Sequence, residues 1–249
     1  MTLVRMKRGF ELELDESDPL QRHMANEREY EPQVSWIYPY LLRHGDAFVD
    51  GGAHIGYLTL LASSCVGPTG AVHAFEPVSR TYDALARNVA RNSATNVQLN
   101  KTALGPRDGT LDLELPIDPR GDAILAWGAT AIQAGRGSIE RVAMTTLDGY
   151  AERAKLRSIR VLKLDLEGAE LGALEGARDL LMRRRVEHLV VELNTYLLDL
   201  VGERYDERRA LLASYGYRCW QLTKSGRIVA QSEPITRRDV VVTDLLFAA

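Results

Sequence analysis

The chain has 249 residues, 45% hydrophobic and 26% charged, enough to bury the core of one large α/β domain or two small ones. A net charge of -3 gives no electrostatic case for binding nucleic acid or an anionic membrane, and the cluster Arg183-Arg184-Arg185 is too short to change that. Two cysteines, Cys65 and Cys219, exclude a disulfide framework and lack metal-site spacing; no apolar signal core or membrane-length run is present, so a soluble cytoplasmic protein is expected.

Residues 1–44 read as an N-terminal helical lid or flanking region, with a helix through 32–42. From residue 45 to 249, strand-like and helix-like segments alternate, the pattern of a doubly wound, mostly parallel sheet with helices on both faces. Strands are expected at 47–50, 71–75, 97–102, 161–165 and 188–193. Between them lie helices at 80–92, where Leu85 and Val89 share a face, and at 171–185. A helix at 208–215 is stopped by Gly216, and 217–222, a turn at 224–227, 228–229 and 239–247 read as an antiparallel hairpin and a closing strand. Residues 105–145 carry Gly109, Pro116, Pro119, Gly121, Gly128, Gly135 and Gly137, which suggests a hairpin plus a long loop on the substrate side. Trp127 within it either stacks on a substrate or fastens the loop to the core.

The richest stretch is Asp50-Gly51-Gly52-Ala53-His54-Ile55-Gly56, between an apolar run and a helix-like segment. A strand turning tightly into a helix can aim backbone N–H groups at a small ligand. Read as a dinucleotide fingerprint, the turn would place Ala53 where the middle glycine should admit a pyrophosphate, and Asp50 would repel that group. Asp50 suits a positively charged amino group, so a nucleoside bearing an amino acid, such as S-adenosylmethionine, fits better. Glu76 follows at the tip of the next strand, where it either accepts hydrogen bonds from a ribose diol or supplies an N-terminal helix charge.

Two further strand tips carry acids. Period-2 alternation puts Lys163 and Asp165 on one side of their strand, and Glu167 follows. Such a set can hold a general base beside a hydroxyl; the plainer alternative is an ion pair with helix-capping acids, which suits Glu170. The next strand ends in Glu192 and Asn194, and oxygen ligands there are compatible with a divalent cation such as magnesium, although nothing requires one.

On Phe48 to Tyr57, Ala74-Phe75-Glu76-Pro77 and Lys163 to Glu170, with Val190-Val191-Glu192 and Tyr30-Glu31-Pro32, the chain resembles the FkbM-type family of class I S-adenosylmethionine-dependent methyltransferases. The resemblance spans roughly residues 30–195, and the family pattern usually has Asn where His54 stands. It implies a Rossmann-like seven-stranded sheet with the last strand inserted antiparallel. It also implies O-methylation of a sugar or other natural-product hydroxyl. Carried over by position, Asp50, Gly51, Gly52, Ala53, His54 and Gly56 would hold the methionine part of the donor, and Glu31 would also belong to the donor site. Glu76 and Pro77 would meet the ribose, and Thr102, Ala103 and Leu104 the adenine. Asp165, which also borders the donor, Glu167 and Glu192 would face the acceptor, with Lys163 organising them. A small-molecule hydroxyl acceptor is the expected partner, and the N-terminal segment could pair two copies. Rival readings are an NAD-dependent oxidoreductase, disfavoured by Ala53 and Asp50, and a non-catalytic nucleoside-binding subunit, disfavoured by acids at three strand tips.

Overall fold

The computed structural model describes residues 1–116, 137–195, 198, 204, 206–223, 227–234 and 242–249. Trp127, the turn at 224–226 and the start of the closing strand at 239–241 lie outside the described residues.

Apolar runs build the centre of the main sheet. Strands β3 (Ala47–Gly51) and β9 (Ile159–Leu164) are buried on both sides, as parallel strands covered by helices must be. The register places Phe48 beside Val161 and Asp50 beside Lys163. Next to β3 come β4 (Ala71–Phe75) and β5 (Val97–Asn100), both parallel. On the other side of β9 lies parallel β10 (Val186–Asn194). Strand β13 (Val242–Ala248) is antiparallel both to β10 and to β11 (Arg218–Leu222), so it is inserted between them. The resulting order is β12-β11-β13-β10-β9-β3-β4-β5. Among the described residues the sheet has eight strands where seven were expected. The eighth is β12 (Ile228–Ala230), which hydrogen-bonds onto the outer edge of β11 as the second arm of the hairpin.

Alternation along the strands divides the core into two layers. Val49, Leu162, Leu189 and Phe247 face α5 (Leu147–Arg153), α6 (Glu170–Glu175), α7 (Arg178–Met182) and α8 (Glu207–Ser214). Phe48, Val161, Val190 and Leu246 face the opposite way, onto α2 (Pro32–Leu41), α3 (Tyr57–Val66) and α4 (Ser79–Arg91). The first 44 residues join this second layer. They contain α1 (Pro19–Glu27) and the expected helix α2, but also a hairpin of β1 (Thr2–Arg5) and β2 (Glu11–Leu14). Leu12 and Leu14 are fully buried there, and the N–H groups of Glu11 and Glu13 donate to Asn92, which caps the end of α4, and to Asn88 on α4.

Two boundaries differ from expectation. The segment 97–102 leaves the main sheet at Asn100; Ala103–Leu104 then forms β6, which pairs with β8 (Gly137–Thr145) in a second sheet ordered β6-β8-β7, where β7 is Gly109–Pro116. The single helix expected at 171–185 is two short ones. They part at Gly176, where a Cβ would stand 2.0 Å from the carbonyl oxygen of Gly105.

Candidate active site

The turn after β3 is held by the tip of β4. The N–H groups of Gly52 and Ala53 both donate to the Phe75 carbonyl at 3.0 Å. The N–H of His54, a non-glycine residue at φ 50, donates to one carboxylate oxygen of Glu76 at 3.0 Å; the N–H of Val78 donates to the other. These turn amides therefore face the protein, not outward toward a ligand as the strand–turn–helix reading suggested. Burial pushes the Glu76 carboxyl up to about 7, against the downward pull of the Val78 and His54 amides.

Gly52 is the tightest point of the turn. It has φ +75, and a Cβ there would lie 1.9 Å from the Asp165 carbonyl oxygen. Only glycine lets the β3 and β9 tips meet this closely. Gly51 packs against Leu164 and Leu104, and Gly56, at φ +97, starts α3 against Leu85. Ala53 is buried.

Beside this contact lies a narrow cleft that is partly open to solvent. Gly52, Pro77, Thr102, Ala103 and Leu104 line it together with Phe75, Leu111, Leu166 and Ala169. Five residues assigned to the donor by resemblance thus share one apolar cleft.

Lys163 forms the second part of the site. Its Nζ lies 3.1 Å from Asp165 Oδ2, 3.3 Å from the Gly52 carbonyl oxygen and 3.8 Å from Asp50 Oδ1. Burial works against its charge, but the charges of Asp165, Asp50 and Glu31 hold its pKa well above the usual lysine value. Lys163 is therefore a fixed cation. Asp50 is completely buried and accepts a 2.5 Å hydrogen bond from Thr59. Its carboxylate thus faces Thr59 and Lys163, and burial raises its pKa.

Around this pair the structure gathers more acid than the sequence suggested. Glu192 on β10 stands opposite Asp244 on β13 in register. Asp244 is 5% exposed and accepts from Gln33 of α2 at 3.1 Å; burial lifts its carboxyl to about 6. Burial, then the charges of Asp165 and Glu167, push Glu192 well up, while burial and Asp244 do the same to Glu31. Glu167 sits in the left-handed region at φ 53. Glu170, by contrast, caps the loop between β9 and α6: it accepts from the N–H groups of Leu166 and Gly168 and from the buried Arg208 guanidinium at 2.7 Å.

Asp244, Gln33 and Thr59 were not legible as site residues. For Asp244 a signal existed, an acid inside the apolar run Val242 to Ala248. The others show themselves only once the elements pack. Among the described residues, no group of three or more His, Cys, Asp or Glu side chains is placed to hold a metal ion. No helix among them is long and apolar enough to cross a membrane.

Comparison with known proteins gives a consistent answer. The family described as Methyltransferase FkbM domain matches residues 50–219. A curated relative, Methyltransferase 1 of Beauveria bassiana (strain ARSEF 2860), is 27% identical over 189 residues, covering 69% of this chain and 72% of its own. The crystal structure of methyltransferase FkbM from Methylobacillus flagellatus KT aligns with a TM-score of 0.53 at 17% identity. That alignment covers 95% of this chain and 56% of the M. flagellatus chain, so this chain spans little more than half its length.

Proposed function

We propose, since this chain belongs to the FkbM methyltransferase family, that it transfers a methyl group from S-adenosylmethionine to a hydroxyl of a sugar or other natural-product acceptor. The observation that carries this reading is the contact at Gly52. It joins the apolar cleft to the Lys163–Asp165 pair, so a nucleoside in the one would end beside the acids of the other.

The residues fit such a donor. The cleft walls of Pro77, Ala103 and Leu104 offer flat apolar surface to a purine. Glu76 keeps lone pairs beyond the two amides it accepts from, and these can take a ribose hydroxyl. The bound donor supplies a methyl group on a positively charged sulfur, a leaving group that needs no acid from the protein. What remains for the chain is alignment and removal of one proton. Alignment of two reactants can lower a barrier by roughly 7–11 kcal/mol in favourable cases.

In this reading Asp165 takes the proton of the acceptor hydroxyl as the new bond forms. Lys163, whose Nζ donates to it at 3.1 Å, holds that carboxylate in one orientation. General-base help of this kind is worth about 10² to 10⁴ in rate. The direct test is calorimetric titration with S-adenosylhomocysteine and, separately, with NAD. Binding of the first alone supports the proposal; binding of NAD alone would replace it with an oxidoreductase.

A further inference from the structure

We infer that Arg208, in the first turn of α8, is a positioning residue for the proposed reaction. Acting through Glu170 and the Gly168 carbonyl, it fixes residues 166–169, which wall the donor cleft and carry Glu167. This rests on the donor-site reading above and adds to it a residue that does not itself line the cleft.

Arg208 is the largest fully buried side chain among the described residues, and Glu170 is 2% exposed. Taking two opposite charges out of water costs solvation that their attraction often fails to return. Apolar side chains of similar volume would hold α8 against α6 about as well. What this pair adds over them is direction. Arg208 Nη2 donates to Glu170 Oε2 at 2.7 Å and to the Gly168 carbonyl oxygen at 3.1 Å. Glu170 Oε1 in turn accepts from the N–H of Leu166 at 2.8 Å and of Gly168 at 3.1 Å. Gly168 is therefore held at both its N–H and its carbonyl.

The backbone held this way needs holding. Glu167 lies at φ 53 and Gly168 at φ 101, two consecutive residues in the left-handed region. For Glu167 that conformation is sparsely populated, and it persists only where the surroundings over-determine it. The constraints flank it on both sides: the Leu166 N–H before it, the Gly168 N–H and carbonyl after it, all three ending on Glu170 or Arg208. The N–H of Ala169 closes the turn by donating to the Leu166 carbonyl at 3.1 Å.

The two ends of this loop are anchored from different sides. Asp165 is tied to the sheet: its N–H donates to the Gly51 carbonyl at 3.2 Å, and its Oδ2 accepts from Lys163 at 3.1 Å. Leu166 and Ala169, which line the donor cleft, follow the Glu170–Arg208 pair instead. Releasing Arg208 would therefore leave Lys163 and Asp165 in place. It would free the cleft wall and Glu167 to move.

Amide hydrogen exchange and S-adenosylhomocysteine titration of the full chain test this together. In the wild type, the Leu166 and Gly168 amides should be protected as well as those of β9. Arg208→Lys keeps the buried charge on a shorter stem without the guanidinium. In that variant both loop amides should exchange about tenfold faster or more, while the β9 amides change less than about threefold. Its affinity for S-adenosylhomocysteine should fall about fivefold or more, because the cleft wall is no longer fixed. Thermal melting checks that the variant folds. If it does not, Arg208→Met combined with Glu170→Gln is measured the same way, since glutamine keeps an oxygen for the two amides without its charge. Unprotected loop amides in the wild type, exchange that rises equally in β9, or either variant readout left unchanged would overturn the inference. If S-adenosylhomocysteine fails to bind the wild-type chain, the donor-site reading falls instead, and the exchange rates alone decide whether Arg208 holds the loop.

Discussion

At Asp244 and Glu76 the protein holds carboxyls whose charge is poorly solvated, and their titration should be visible in stability. Burial raises Asp244 to about 6 and Glu76 to about 7, above their ordinary values of 3.8 and 4.5. The folded state then binds more protons than the unfolded one between about pH 4 and 7. Stability must therefore fall as pH rises through that window, and it is the charged form that costs it. Asp244→Asn removes one such charge and can still accept from Gln33. It should raise stability at pH 8 by the order of 1 to 3 kcal/mol, with the gain shrinking toward pH 4, as read by urea denaturation at both values. An unchanged difference across that range would mean Asp244 is not the titrating group. Asp165→Asn addresses chemistry instead. Turnover should drop about 10² to 10⁴-fold with donor affinity nearly intact, whereas a matching loss of S-adenosylhomocysteine binding would remove Asp165 from the role of base.

Between elements, two close contacts fix the loops that carry the site. Gly52→Ala would drive a methyl into the Asp165 carbonyl at a φ that side chains rarely adopt. The turn and the β9 tip cannot both stay in place, so donor binding should be lost even where the protein still folds, as a titration calorimeter would record. Arg208→Met would leave Glu170 buried without its cation while Glu170 still holds the Leu166 and Gly168 amides. Breaking one partner of such a pair costs about 3–5 kcal/mol, which chemical denaturation measures directly. These contacts also show what a sequence discloses. The β3 turn was legible because its glycines and flanking acids are contiguous, and Glu170 was legible as a cap because its targets lie within four residues. Arg208 lies 38 residues from Glu170, and the break at Gly176 depends on Gly105, so neither could be read locally. The β1–β2 hairpin left a short signal in Glu11-Leu12-Glu13-Leu14, alternation over only four residues, which is easily overlooked in a charged terminus.

For the molecule as a whole, sheet order does the organising. The parallel strands β4, β3, β9 and β10 end at one edge, and antiparallel β13 brings Asp244 back to that edge from the far end of the chain. This is why the acids at positions 50, 76, 165 and 192 were recognisable as one group from strand ends alone, while position 244 was not: its side of the sheet follows from an antiparallel insertion. The N-terminal 44 residues complete the site from above, since α2 delivers Gln33 to Asp244 and the hairpin is tied through Asn88 of α4 to the Ile55 carbonyl in the glycine turn. The central claim is that a nucleoside donor lies in the cleft beside Gly52 with its reactive end toward Asp165. A crystal structure with S-adenosylhomocysteine bound tests it most directly. The account requires the adenine between Pro77 and Leu104, the ribose at Glu76 and the sulfur nearest Asp165; a ligand seated on another strand edge, or with its sulfur turned away from β9, would contradict it.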